Sequence, residues 1–259
     1  MTDKQGGRTC RCGMLIALLA DIHANLEALE ACLADAAARG AERLVLLGDL
    51  VGYGADPLPV LARIRALAEA GAVVLLGNHD EAALKGAVGF NPVAAQAIRW
   101  TAAQLDASAR AFLSGLPLTH REDGLLFVHA DASDPAGWRY VRSLRDAAAC
   151  LAGTDARFVF CGHTHLPLLA CASGSGRLCA REPQPGAVIP LAPLRRAVAV
   201  IGAVGQPRDG NPAACYGLLD TLSLDCRWLR VPYDIAAAAA KIRAAGLPES
   251  LAARLFRGL

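Results

Sequence analysis

The sequence predicts an α/β fold, mixed in its later strands, and three observations predict it. Short apolar runs recur at residues 15–20, 44–47, 72–76, 125–128 and 158–161, each too short for a helix and rich in Leu, Val, Ile or Phe. Stretches of helical period separate the early runs, so the chain opens as β-α-β-α-β. Much of the Gly and Pro then collects at residues 171–196, where turns and short strands replace the alternation and parallel order gives way to mixed order.

Taken in order, residues 15–20 form the first strand. Residues 26–39 form a helix, with Leu26, Leu29, Leu33 and Ala36 on one face, Asn25 as N-cap and Gly40 as stop. The second helix follows the strand at 44–47: Asp56 caps it, Pro57 suits its first turn, Val60, Leu61, Ile64 and Leu67 make its stripe, and Gly71 ends it. Asn91-Pro92 opens a third helix through about Leu105, and another lies near residues 143–151. Residues 171–196 read as a hairpin and loop, 197–231 resume strands, and 234–257 are helical with a break at Gly246-Leu247-Pro248. Residues 1–13 are polar and Gly-containing and read as a disordered tail, leaving 14–259 as one domain ending in the helices of 234–257.

Composition narrows the function. Of 259 residues 26 are Lys or Arg and 24 Asp or Glu, which leaves no basic surface for a polyanion, and 5% aromatics offer no stacking platform for nucleic acid. Hydrophobic residues at 54% can bury a large core, yet no apolar run reaches the 18 or so residues of a membrane span. Arg8 and Arg11 precede an apolar run in the manner of a signal peptide, but that run leads straight into Asp21 and His23 without a cleavage pattern. The nine cysteines are odd in number and scattered, against a disulfide framework, so the expected location is the cytoplasm; Cys10-x-Cys12 is a weak metal or redox signal.

The residues at the ends of the five apolar runs carry the chemistry. The runs lead into Asp21-Ile22-His23, Gly48-Asp49, Gly77-Asn78-His79-Asp80, His129 and Gly162-His163-Thr164-His165. Five of the six histidines stand there, His120 being the exception. One His or Asp at a strand end is most often a cap or a satisfied polar group. Five such ends in one chain, all delivering metal-ligand types to the carboxyl edge where open α/β sheets place their sites, mark a functional centre.

These motifs resemble those of the calcineurin-like metallophosphoesterase family, from Met14 to about Asp220. Gly48-Asp49-Leu50-Val51-Gly52-Tyr53-Gly54, Phe90-Asn91-Pro92, Trp100-Thr101 and Val204-Gly205-Gln206-Pro207-Arg208-Asp209 are most similar to its small bacterial and archaeal phosphodiesterase branch. The resemblance implies a four-layer αββα sandwich of two mixed sheets with a two-metal site at one edge. It implies that Asp21, His23 and His165 bind one metal, that Asn78, His129 and His163 bind the other, and that Asp49 bridges them. His79 would be a substrate-binding group or general acid, with Asp80 orienting its ring.

The chemistry agrees with that division. A carboxylate can span two cations about 3.5–4 Å apart, and a hydroxide between them would be ionised near neutral pH and serve as nucleophile. Nitrogen and oxygen ligands without thiolate suit Mn, Fe, Co, Ni or Zn, with Mn the first choice. The expected activity is hydrolysis of a small phosphodiester or nucleotide. Alternatives are asymmetric cleavage of diadenosine tetraphosphate and phosphomonoester or protein phosphatase activity. The last is weakened because the Asp-Arg pair of protein phosphatases and symmetric tetraphosphate hydrolases is absent after Asp49. A non-enzymatic scaffold predicts an eroded ligand set, and here the set is complete. A second departure is that Val200-Ile201-Gly202-Ala203 stands where similar sequences carry an Asn-Pro-Gly-Ser stretch.

Overall fold

A computed structural model describes residues 13–172 and 177–259. Cys10 and Cys12, and nearly all of the expected tail, lie outside the described residues. The first half runs β1 (Leu15–Leu19), α1 (Leu26–Ala38), β2 (Arg43–Leu46), α2 (Pro57–Glu69), β3 (Val73–Val74), α3 (Asn78–Lys85), α4 (Pro92–Gln104) and α5 (Ala107–Ser114). The second half runs β4 (Thr119–Glu122), β5 (Leu125–Val128), α6 (Leu144–Ala152), β6 (Phe158–Cys161), β7 (Leu168–Ala172), β8 (Leu178–Arg181), β9 (Ile189–Pro190), β10 (Arg196–Val200), β11 (Ala214–Asp220), β12 (Asp225–Val231), α7 (Ile235–Ala244) and α8 (Glu249–Leu255).

The strands form two six-stranded mixed sheets, ordered β3-β2-β1-β11-β12-β9 and β4-β5-β6-β10-β7-β8. In the first, β1, β2 and β3 are parallel and β11 returns antiparallel beside β1. In the second, β5, β6 and β10 are parallel, flanked by antiparallel β4 and β7. Strand alternation makes the layers. Ile16 and Leu18 of β1 meet Phe127 of β5, Phe158 and Phe160 of β6, and Trp228 of β12 in a core between the sheets. Ala17 and Leu19 point the other way, into Leu29 and Leu33 of α1 and Val60 and Ile64 of α2. Val159 and Cys161 likewise face Ala147, Cys150 and Leu151 of α6. The order is therefore helix, sheet, sheet, helix, as the resemblance implied.

Local chemistry explains the helix starts. The side chains of Asn25, Asn91 and Ser143 each accept the N–H three residues on, an N-cap bond expected at Asn25. Asp56 does not cap α2; its carboxylate takes Lys241 Nζ of α7 at 2.7 Å and ties the C-terminal helices to the body. Two helices and a strand lie where no periodicity announced them. The eight-residue α3 starts inside the Gly77-Asn78-His79-Asp80 motif, α5 adds two more turns after α4, and His120 stands in strand β4. Elements this short carry too few apolar repeats to read as a period.

Candidate metal centre

The carboxyl ends of β1, β2, β3, β5 and β6 meet at one edge of the sandwich, and the loops leaving them are stitched backbone to backbone. Asp21 N–H donates to the Gly48 carbonyl at 3.1 Å, His23 N–H to Asp49 at 2.9 Å, and Gly162 N–H to His129 at 3.0 Å. Across the sheets, His163 N–H donates to the Asp21 carboxylate at 2.9 Å. The fit is close: a Cβ on Gly77 would lie 2.1 Å from Asp49 N and 2.2 Å from its Oδ1, so only glycine fits there.

Backbone strain collects at the same edge. Asp21, His23, Asp49, His163 and His165 all occupy the left-handed region, with φ of 55°, 50°, 53°, 68° and 61°. Such a conformation costs a non-glycine residue about 1–3 kcal/mol and is characteristic of functional sites. These five residues aim their side chains at the edge instead of continuing a strand or entering a helix.

The side chains converge in two groups that share Asp49. Asp21, His23, Asp49 and His165 place ligand-type atoms within 4.8 Å of one another, and Asp49, His129 and His163 do the same. Asn78 Oδ1, 3.0 Å from His129 Nε2, extends the second group. All of these residues are buried.

Their outward hydrogen bonds decide what the inward atoms are. His23 Nδ1 faces the Val51 carbonyl at 3.2 Å, His165 Nδ1 that of Gln206 at 2.6 Å, and His129 Nδ1 that of Leu47 at 2.9 Å, while His163 Nε2 faces that of Trp138 at 2.9 Å. A carbonyl only accepts, so the facing nitrogen carries the hydrogen and the inward nitrogen of a neutral ring offers a bare lone pair. Yet His23 Nε2 and His165 Nε2 stand 3.0 Å apart, with Asp49 Oδ2 3.6 Å from the first and Asp21 Oδ1 3.4 Å from the second. In the second group His129 Nε2 faces Asn78 Oδ1, His163 Nδ1 at 3.2 Å and Asp49 Oδ2 at 3.4 Å. Asp49 Oδ2 is buried with no hydrogen-bond partner. Acceptors pointed at acceptors repel; a cation in each group removes the conflict, which a proton on His129 Nε2 relieves only in the second. The donors present fit divalent metal ions.

Titration follows from this crowding. Burial pushes His163 down to about 3 and also lowers His23 and His165, keeping them neutral. Burial opposes charge on His129 as well, but the facing Asp49 carboxylate wins and pushes it up to about 9. Burial raises Asp49, and the imidazoles of His129, His79 and His23 outweigh that and hold it well below the usual carboxylate range.

The comparisons with known proteins then decide the family. The model of the calcineurin-like phosphoesterase superfamily domain matches residues 14–223. The chain belongs to this superfamily. It is a metal-dependent phosphoester hydrolase. This phosphoesterase is 37% identical to a metallophosphoesterase from Sphaerobacter thermophilus of known crystal structure, with a TM-score of 0.86 over 96% of this chain and 100% of that one. It is 36% identical to an uncharacterized protein of Methanocaldococcus jannaschii, over 94% of this chain and 98% of that one. A 94-residue stretch, 34% of this chain and 33% of the relative, is 40% identical to a protein of Aromatoleum aromaticum named as a symmetrical bis(5'-nucleosyl)-tetraphosphatase.

One expectation for this phosphoesterase needs correction. Asp80 does not orient the His79 ring: its carboxylate accepts the N–H groups of Leu50, Val51 and Gly77 at 2.9–3.0 Å, clamping the loop after β2 to the start of α3, and His79 Nδ1 is buried without a partner. Burial, with the charge of Asp49, pushes Asp80 up to about 8. Burial pushes His79 down to about 4, favouring the neutral ring. The remaining motif residues are brought together, and His120 stands apart, 3.2 Å from Glu122.

A cleft of about 470 Å³ opens over the metal groups, lined in part by His79, Tyr53, Phe90, Trp138, Tyr140 and Arg208. Tyr140 stacks on His163 at 4.1 Å, and the Arg142 guanidinium lies 3.6 Å from the centre of the Tyr140 ring. Sequence reasoning missed Trp138 and Tyr140. The one signal was two aromatics within three residues in a chain that is 5% aromatic.

Proposed function

We infer that this metallophosphoesterase is a phosphodiesterase carrying two divalent ions, Asp21, His23, Asp49 and His165 holding one and Asn78, Asp49, His129 and His163 the other. The observation that carries the reading is the pair of acceptor clusters sharing one buried, unpartnered oxygen, Asp49 Oδ2. When bound, two such ions polarise phosphoryl oxygens and bring the pKa of coordinated water toward about 7. The chain's own residues do the rest. Asp49 and the imidazoles fix the spacing, their outward bonds to main-chain carbonyls locking each ring in the tautomer that faces inward. His79, neutral at pH 7, is a hydrogen-bonding group toward the ester.

We take a diester over a monoester because the cleft beside the clusters, about 470 Å³ and lined by Phe90, Trp138 and Tyr140 among others, has volume and aromatic surface for more than a bare phosphate. Mn is the ion expected first, since N and O donors without thiolate suit it. Among the described residues no helix is long and apolar enough to cross a membrane, and the scattered cysteines support a cytoplasmic location. The test is hydrolysis of bis-p-nitrophenyl phosphate against p-nitrophenyl phosphate by metal-stripped protein before and after adding Mn2+. Mn-dependent diester cleavage that exceeds monoester cleavage supports the reading, and faster monoester cleavage refutes it.

The relative named as a bis(5'-nucleosyl)-tetraphosphatase favours a second reading, cleavage of diadenosine tetraphosphate. Against its symmetrical form, Gly52-Tyr53 stands where the Asp-Arg pair is expected. The products separate the forms: two ADP for symmetrical cleavage, ATP plus AMP for asymmetrical.

A further inference from the structure

The wall of the cleft beside His165 carries a positive charge that the fold leaves unbalanced. Arg208 lines the cleft with Asp49, His79 and His165, its guanidinium 5.5 Å from the centre of the Tyr53 ring. Its Nη2 donates to Gln206 Oε1 at 2.9 Å, and its Nε is buried with no hydrogen-bond partner. The same Gln206 oxygen accepts from Arg254 Nη1 at 3.1 Å, and Arg254 Nε is also buried without a partner. Among the described residues neither arginine has a carboxylate within 4.0 Å, and what sets the pair apart is that both line up on one Gln206 oxygen beside the cleft. Two half-buried guanidiniums sharing one neutral amide oxygen repel; partial burial and the charge of Arg208 lower the pKa of Arg254 accordingly. An anion beside Arg208 would relieve both.

Arg254 comes from α8, beyond the residues that the superfamily model matches. There α8 packs Leu251 and Leu255 into a cluster that includes Tyr53, the ring under Arg208. The C-terminal helices thus reach the cleft through both partners of Arg208, Tyr53 and Gln206.

We propose that Arg208 binds an anionic oxygen of the phosphoester beside the metal clusters, and that Arg254 is a positioning residue that holds Gln206, and through it Arg208, in place. This rests on the phosphoesterase reading. It predicts a substrate gripped from two sides, with the ions on one and the remaining guanidinium N–H donors of Arg208 on the other.

The test uses the full chain loaded with Mn2+ and reads inorganic phosphate binding by calorimetry, metal content by elemental analysis, and kcat and KM on bis-p-nitrophenyl phosphate. Arg208→Ala should weaken phosphate binding about tenfold or more, the loss of a charged hydrogen bond, with metal content unchanged. Arg208→Lys should recover part of the loss. Arg254→Ala should weaken phosphate binding and raise KM in the same direction by a smaller factor, with kcat little changed, and Arg254→Lys, which can still donate to Gln206, should rescue it. The double variant should bind no worse than Arg208→Ala alone, since both act through one contact. Unchanged phosphate binding in both Arg208 variants overturns the proposal, and additive losses in the double variant overturn the positioning role of Arg254. If the wild-type protein binds phosphate through Arg208 yet cleaves no ester, the hydrolase reading fails while this contact stands.

Discussion

Adding Mn2+ to metal-free protein at pH 7 should expel a proton from His129. Its Nε2 faces Asp49 Oδ2 at 3.4 Å, Asn78 Oδ1 at 3.0 Å and His163 Nδ1 at 3.2 Å, so without a cation the proton is the one positive charge that satisfies all three. With the group pushed up to about 9, against the burial that opposes it, about 99% of His129 is protonated at pH 7. That proton must be displaced before a metal binds, so metal affinity at the second cluster should rise about tenfold per pH unit from 7 and flatten near 9. In the metal-free protein the sign for stability is the reverse. A pKa raised in the fold contributes stability that is complete below the unfolded value of about 6.5 and is lost as pH rises through about 9. The assay is titration of metal-stripped protein in weak buffer, counting protons released per ion, alongside metal dissociation constants at several pH values. Close to one proton for the second cluster is expected at pH 7, and none from His129→Asn. Metal affinity independent of pH between 7 and 8.5, with no proton released, would refute the assignment of that proton to the ligand cluster.

Further expectations rest on single contacts. Asp49→Ala removes the oxygen common to both groups and should abolish stoichiometric metal binding and turnover together; near-normal metal content would separate Asp49 from the bridge. His79→Ala should keep both ions and lose rate, most with poor leaving groups, as read by elemental analysis and steady-state kinetics; lost metal would make it a ligand instead. Asp80→Ala strands three buried N–H groups, each costing about 1–3 kcal/mol when unsatisfied, and should lower the melting temperature markedly. Gly77→Ala drives a Cβ into Asp49 and should weaken metal binding without an equal loss of helix content by circular dichroism, whereas Gly40→Ala, whose Cβ would meet open space, should leave metal binding intact.

Much of the centre was legible because ligand type and strand end coincide in the linear code. Each of β1, β2, β3, β5 and β6 is an apolar run, and each is followed within a few residues by Asp21, Asp49, Asn78, His129 or His163. Parallel strands deliver their carboxyl ends to one edge, so the order of motifs implied their meeting. The four-layer arrangement came from the resemblance rather than from periodicity, since short buried strands look alike whichever sheet they join. The helix α3 does not announce itself because it is eight residues long and its first turn consists of the polar site residues Asn78, His79 and Asp80.

The roles of Asp80 and His79 belong to the tertiary structure. In the sequence, Asp80 stands beside His79 and invites a pairing of the two; in the fold, the first turn of α3 turns that carboxylate back onto the loop after β2, where three N–H groups need an acceptor. The state of His79 depends on burial, which no local motif encodes. Likewise Arg254 lies 46 residues after Arg208 and shares no pattern with it; they meet because α8 packs against Tyr53. The sequence by itself determined which residue types arrive at the edge and in what order, because strand polarity and residue chemistry are local properties. The tertiary structure alone decided which lone pairs face inward, which carboxylate serves the backbone, and which charges lack a partner, because those depend on distances between segments far apart in the chain.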